Sequence, residues 1–170
     1  MNNILKSRLK RGILTRRIDA GGPVPPELET LGAEMRERIK KRFGRSFHIR
    51  QVDTGSCGAC VSEIIAATNP IYDLQRFGVD FVASPRHADA LLVTGPVSKN
   101  MAAALRKTYD AAPEPKIVIS AGDCALDGGA FKGSYYTAGG VRQVLPVDLH
   151  IPGCPPSPEE IIKALLALLK

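Results

Sequence analysis

Cys57 and Cys60 sit three positions apart in Asp53-Thr-Gly-Ser-Cys-Gly-Ala-Cys-Val-Ser-Glu63. The other two cysteines stand alone, Cys124 in Ala-Gly-Asp-Cys-Ala and Cys154 in Ile-Pro-Gly-Cys-Pro-Pro. A close thiol pair serves zinc, an iron–sulfur cluster or dithiol redox chemistry, and the pair alone does not choose among them. The wider spacing narrows the field. Structural zinc usually takes two short-range ligand pairs. Here one pair is followed by 63 residues before Cys124 and 29 more before Cys154. Single cysteines on separate loops, the last followed by proline, suit a cluster set into the edge of an existing fold. Zinc and a disulfide are the alternatives. Gly55, Gly58, Gly122 and Gly153 would let backbone N–H groups approach the sulfurs and tune an anionic centre.

Such loops need elements that bring them together. Phe47–Val52, Val79–Ala83, Ala90–Thr94, Lys116–Ser120 and Val144–His150 read as short strands. Helical stretches lie between them at Ala59–Ala67 and Ser98–Ala111. A closing helix starts at Ser157, with Pro158 first and Glu160 completing a capping box. Its core face carries Ile161, Ile162, Leu165, Leu166, Leu168 and Leu169. Strands alternating with helices predict an α/β fold, a parallel sheet covered on both faces. Parallel strands end along one edge, where such folds bind their ligands. Each cysteine site follows a strand, so four thiols from three loops can meet there.

The chain has 170 residues, 44% of them hydrophobic, enough for one domain with a core. The net charge of +6 is unevenly placed. Residues 1–50 carry 13 Lys/Arg against 5 Asp/Glu, and residues 51–170 carry 10 against 12. The division expected is a basic amphipathic arm over 1–45 and an α/β domain over 46–170. Within the arm, Ile4, Leu5, Leu9, Ile13, Leu14 and Ile18 alternate with basic residues as in a surface-seeking helix. Gly21–Pro26 reads as a stiff linker, and Leu28, Leu31, Met35, Ile39 and Phe43 as an ordinary packing stripe. No run reaches the apolar length of a membrane span, and no signal peptide is read at the start. Reduced thiols on the cytoplasmic side of a membrane are therefore expected. Aromatics make up 5% and none clusters with the basic residues, which argues against a zinc-stabilised nucleic-acid module.

Cys57-Gly-Ala-Cys60, Ser84-Pro-Arg-His-Ala-Asp-Ala-Leu-Leu-Val-Thr-Gly-Pro96, Gly122-Asp-Cys124, Gly128-Gly129 and Pro146-Val-Asp-Leu-His-Ile-Pro-Gly-Cys-Pro-Pro156 together resemble one family. It comprises the small subunits of energy-converting, membrane-bound [NiFe] hydrogenases of the formate hydrogenlyase type. These are homologous to the 20 kDa-type subunit of respiratory NADH:quinone oxidoreductase. The resemblance covers about residues 46–170. It implies a flavodoxin-like domain with one [4Fe-4S] cluster, ligated by Cys57, Cys60, Cys124 and Cys154, next to a large subunit's active site. The partners implied are that hydrogenase-like large subunit, a ferredoxin-like iron–sulfur subunit and a membrane-embedded subunit reached by the arm; nucleic acid is not among them. Cys-x-x-Cys in place of adjacent cysteines, and His87 after Arg86, resemble the hydrogenase branch. Val61 after Cys60, where an acid is common in that branch, points to the alternative of a nickel-free, acceptor-reducing relative.

Three further residues accompany the thiols. Glu63, one helical turn beyond Cys60, matches a family carboxylate near the boundary between subunits and is a candidate proton relay, with a structural helix-start role as the alternative. Arg86 and His87 are candidates for tuning the cluster's potential. An Arg86–Asp89 loop pair beside an inert His87 is the alternative. His48 and His150 lie in strands and read as structural, and Asp53 and Asp123 as turn residues.

Overall fold

A computed structural model describes residues 26–170. The arm helix expected over residues 3–18 lies outside the described residues. The first described element, α1 (Pro26–Phe43), has Glu27 and Glu29 in its first turn and Lys40, Lys41 and Arg42 in its last. Both placements complement the helix dipole. Gly44 ends it at φ +67°, its N–H returning to the Lys40 carbonyl at 3.0 Å.

The sheet has five strands: β1 (Phe47–Asp53), β2 (Val79–Phe81), β3 (Ala90–Thr94), β4 (Ile117–Ala121) and β5 (Leu149–Ile151). Their spatial order is β2-β1-β3-β4-β5 and every pairing is parallel. Between them run α2 (Ala59–Ala67), α3 (Lys99–Ala111) and the short α4 (Asp123–Asp127); α5 (Pro158–Leu168) closes the chain. The last expected strand forms only at its end. Val144 and Leu145 follow a 3-10 turn at Val141–Gln143 and pack with the core on the α3 side.

Side chains alternate between two apolar layers. Phe47, Ile49, Leu92, Ile119 and Ile151 face α1, α2 and α5, whereas Val52, Leu91, Val93 and Val118 face Leu105 of α3 and Ala125 of α4. β3, in the middle, is buried along its whole length, which is why it reads as an unbroken apolar run. α5 buries Ile161, Ile162, Leu165 and Leu166, each contributing about 1.5–3 kcal/mol. The Ser157–Glu160 capping box is present in full.

α1 belongs to the same core. Leu28, Met35 and Ile39 are buried in the layer that holds α5, and Gly32 lies against the Phe77 ring. The stripe assigned to packing does pack, although the charge balance groups this helix with the arm. Among the described residues, no helix is long and apolar enough to cross a membrane.

Candidate metal centre

The chain reverses its winding direction between β1 and β3, which opens a crevice at the carboxyl ends of the strands. Loops following β1, β4 and β5 carry the four cysteines to that edge, and the loop after β3 supports them. Asp53, the last residue of β1, fixes the first loop. Its carboxylate accepts from the N–H groups of Gly55 (2.8 Å) and Ser56 (2.9 Å) and from the Ser56 hydroxyl (2.9 Å). Ser56 Oγ in turn accepts from Gly58 N–H at 3.2 Å. Gly58, at φ +87°, then turns the chain into α2, so that Cys60 lies in the helix's first turn.

Thr54 anchors the same loop from below. Its buried hydroxyl donates to the Thr94 carbonyl at 2.8 Å and accepts from Val97 N–H at 3.3 Å. Val97 has φ +53°, a conformation that β-branched residues rarely adopt. A β-carbon on Gly95 would lie 2.6 Å from Ser56 N, so the loop after β3 presses directly on the cysteine turn.

The loops after β4 and β5 are tied to each other. Asp123 N–H donates to the Gly153 carbonyl at 2.9 Å, and Gly153 N–H donates back to Asp123 Oδ1 at 3.0 Å. Gly122 N–H donates to the Ile151 carbonyl at 2.9 Å. Cys124 thereby sits in the one-turn helix α4, a helix that no sequence signal announced. Cys154 follows Gly153 and precedes Pro155 through a cis peptide bond. Cys57 and Cys154 are exposed, Cys60 and Cys124 are half-buried, and none is disulfide-bonded.

The thiols act on one another. Burial, then the neighbouring Cys57, Cys124 and Cys154, pushes the Cys60 thiol up to about 11. Burial also raises Cys124, against an N–H···S hydrogen bond from Ala130, and the Cys154 and Cys57 thiols raise it further. Cys57, Cys124 and Cys154 thus all lie close enough to act on Cys60, and the four form a donor set that a bound cation would stabilise as thiolates. Among the described residues, no three His, Cys, Asp or Glu side chains close on a single metal ion. The donor set fits an iron–sulfur cluster in its chemistry: four cysteines, glycine-lined approaches and a backbone N–H on sulfur.

The other candidates lie on α2 and in the turn before β3. Glu63 is half-buried on α2. Arg86 and His87 are in a 3-10 turn, with the His87 carbonyl 3.2 Å from His48 Nδ1. Asp89 pairs not with Arg86 but with Arg45, in two contacts of 2.8 Å, and accepts from His48 N–H at 2.9 Å. His150 Nδ1 lies 3.0 Å from Ser120 Oγ. Sequence reasoning missed Thr54 and Val97, which pair across some forty residues, and Ala130, which reaches back to Cys124 around the turn that follows it. Only the Gly-Pro dipeptide before Val97 hinted at a tight turn there.

The family described as NADH ubiquinone oxidoreductase, 20 kDa subunit, matches residues 57–168, a span that opens on Cys57 and takes in all four cysteines. This chain is a member of that family. Formate hydrogenlyase subunit 7 of Escherichia coli (strain K12) is 41% identical over 158 residues, 93% of this chain and 58% of that protein, so the match leaves much of that relative unspanned. A probable membrane-bound hydrogenase subunit, mbhJ, of Pyrococcus furiosus is 44% identical over 79% of this chain and 85% of its own length. The B-type subunit of the NADH-quinone oxidoreductase of Desulfovibrio desulfuricans is 45% identical over 74% of this chain and 68% of its own. Among solved structures, a chain of the membrane-bound sulfane sulfur reductase, an archaeal respiratory membrane complex, superposes with TM-score 0.66 at 31% identity, covering 79% of this chain and 72% of that one. A chain of the NAD+-reducing [NiFe]-hydrogenase shares the fold, with TM-score 0.56 at 22% identity over 74% of this chain and 92% of its own. The relatives are subunits of oxidoreductases, and two of those, the mbhJ-containing hydrogenase and the sulfane sulfur reductase, are described as membrane-bound.

Proposed function

We propose that this chain is an electron-transfer subunit carrying one [4Fe-4S] cluster on Cys57, Cys60, Cys124 and Cys154. It would stand beside the active site of a hydrogenase-like large subunit, peripheral to the cytoplasmic face of a membrane, with a ferredoxin-like and a membrane-embedded subunit completing the assembly. The observation carrying this reading is the gathering of four mutually interacting thiols on one edge of the sheet. A bound cluster supplies one-electron chemistry; the protein supplies position and environment. Ala130 N–H and the first turn of α2 direct positive dipole ends toward Cys124 and Cys60, favouring negative charge on the sulfurs. The paired loops after β4 and β5 hold two of the thiols still. Glu63 is assigned to moving protons where the subunits meet, and Arg86 and His87 to adjusting the potential once a partner covers them.

Anaerobic purification with metal and sulfide analysis tests this. The expected result is a brown protein with about four iron and four sulfide per chain, and a Cys124→Ser variant with clearly less iron. A colourless chain holding zinc overturns the cluster. Full iron loading in Cys124→Ser removes that residue from the ligand set.

A second reading is a nickel-free assembly that reduces another acceptor. Val61 beside Cys60 and the likeness to the sulfane sulfur reductase chain favour it. Nickel analysis of the intact assembly separates the two, since only the hydrogenase reading expects nickel in stoichiometric amount.

A further inference from the structure

Cys124 and Cys154 lie on loops that extend neighbouring strands in step. β4 and β5 pair Ala121 with Ile151, and each cysteine comes three residues after that pair. The two thus occupy matching positions beyond the strand ends. The pairing continues into the loops: Gly122 N–H donates to the Ile151 carbonyl and Asp123 N–H to the Gly153 carbonyl, both at 2.9 Å. Gly153 N–H returns to Asp123 Oδ1 at 3.0 Å. Neighbouring strands run about 4.8 Å apart, and a disulfide joins residues whose Cα atoms are about 4.4–6.8 Å apart. The residues just before Cys124 and Cys154 are therefore tied at a spacing that a disulfide can bridge.

The pair that is close in sequence is placed differently. Cys60 Sγ is seated against Gly122, where a β-carbon would lie 2.6 Å from it. Cys57 acts on the Cys60 thiol through charge alone, whereas Cys154 acts on Cys124 through charge and a hydrogen bond. Cys154 is exposed and Cys124 half-buried, so a reagent from solution meets Cys154 first.

We propose that Cys124 and Cys154 are a redox-modification site in the metal-free chain, closing to a disulfide when a low-molecular-weight disulfide is the oxidant. The Cys154 sulfur attacks one sulfur of the small disulfide, breaks its S–S bond and releases one small thiol. Cys124 then displaces the second small thiol from the mixed disulfide as the Cys124–Cys154 bond forms. The two protein sulfurs give up two electrons to the small disulfide, and their protons leave with the two small thiols. Closure withdraws half of the ligand set proposed above, because metals bind thiolates. The chain is then barred from metal loading until a thiol reductant reopens the bond, as in the reversible disulfides of redox-sensing proteins. The pairing follows from the loops alone; the block on loading rests on the cluster reading given above.

Peptide mapping tests the pairing. The full chain, freed of metal by a chelator under reducing conditions, is treated with oxidised glutathione in the absence of air, and its remaining thiols are alkylated. Mass spectrometry is expected to find Cys124 joined to Cys154 with Cys57 and Cys60 alkylated, a loss of half of the four free thiols. Anaerobic reconstitution with iron and sulfide should load the oxidised chain only after reduction with dithiothreitol. A Cys57–Cys60 disulfide, a mixture of pairings or glutathione retained on Cys154 overturns the pairing. Full loading of the oxidised chain overturns the block. If the Cys124–Cys154 bond forms but the reduced chain takes up no iron, the pairing stands and the cluster reading falls.

Discussion

Gly122 and Cys60, far apart in the chain, are so close in space that a β-carbon on Gly122 would lie 2.6 Å from Cys60 Sγ. Gly122 also sits at φ +87° and ψ 155°, a region that only glycine adopts without strain. Gly122→Ala should therefore push Cys60 away from the other thiols and destabilise the fold by about 1–3 kcal/mol. Iron content per chain and the thermal midpoint check this. Normal loading with an unchanged midpoint would contradict it.

Thr54 joins the strand end to the loop after β3. Thr54→Val keeps the shape but leaves Val97 N–H without its acceptor, at a cost of about 1–3 kcal/mol. Thr54→Ser retains the hydroxyl and should lose clearly less. Denaturant midpoints of the two variants, at equal m-value, give the comparison.

Gly32 offers a case where local propensity and packing disagree. Alanine at a helical glycine normally gains about 1 kcal/mol. Here the new β-carbon would meet the Phe77 ring at 2.2 Å. Gly32→Ala is expected to destabilise the protein by about 1–3 kcal/mol despite its helix preference. A raised melting temperature would show that α1 is not held against the Phe77 loop.

Asp53 predicts an acid limit. Partial burial tends to raise its carboxyl pKa, but the N–H groups of Ser56 and Gly55 and the Ser56 hydroxyl outweigh this and hold it below the ordinary value. A folded-state pKa lower than the unfolded one means that the unfolded chain binds the proton first. The associated stability is then complete above the unfolded value of about 4 and is lost as pH falls through the lower folded value. Asp53→Asn should flatten this part of the stability profile between neutral and acid pH. An identical acid slope in the variant would count against the assignment.

Much of this architecture was legible because its signals are local. Ala90–Thr94 is an unbroken apolar run, and it forms the strand buried on both faces. Ser157, Pro158 and Glu160 announce α5 within four residues. The gathering of the cysteines was legible too, since parallel strands must end on one edge. What escaped depends on contacts across the chain. α4 has five residues, too few to show a period, and exists because the loops after β4 and β5 exchange hydrogen bonds. Asp89 finds Arg45 rather than the nearby Arg86, a choice made by tertiary placement. Val144 and Leu145 have strand-like side chains but are drawn into the core from a 3-10 turn, so β5 begins only at Leu149. α1 carries enough charge to be grouped with an arm, although its packing stripe was readable and does join the core.

The loops that carry Cys60, Cys124 and Cys154 meet through bare main chain. Gly122 abuts Cys60, a β-carbon on Gly129 would crowd Cys124 N at 2.9 Å, and Gly153 packs on Pro156. Contacts of this kind constrain where the sulfurs stand without constraining which side chains surround them. Descendants of this sequence are accordingly free to change the neighbouring charges and polarity, and so retune whatever centre the thiols hold, while inheriting the same scaffold.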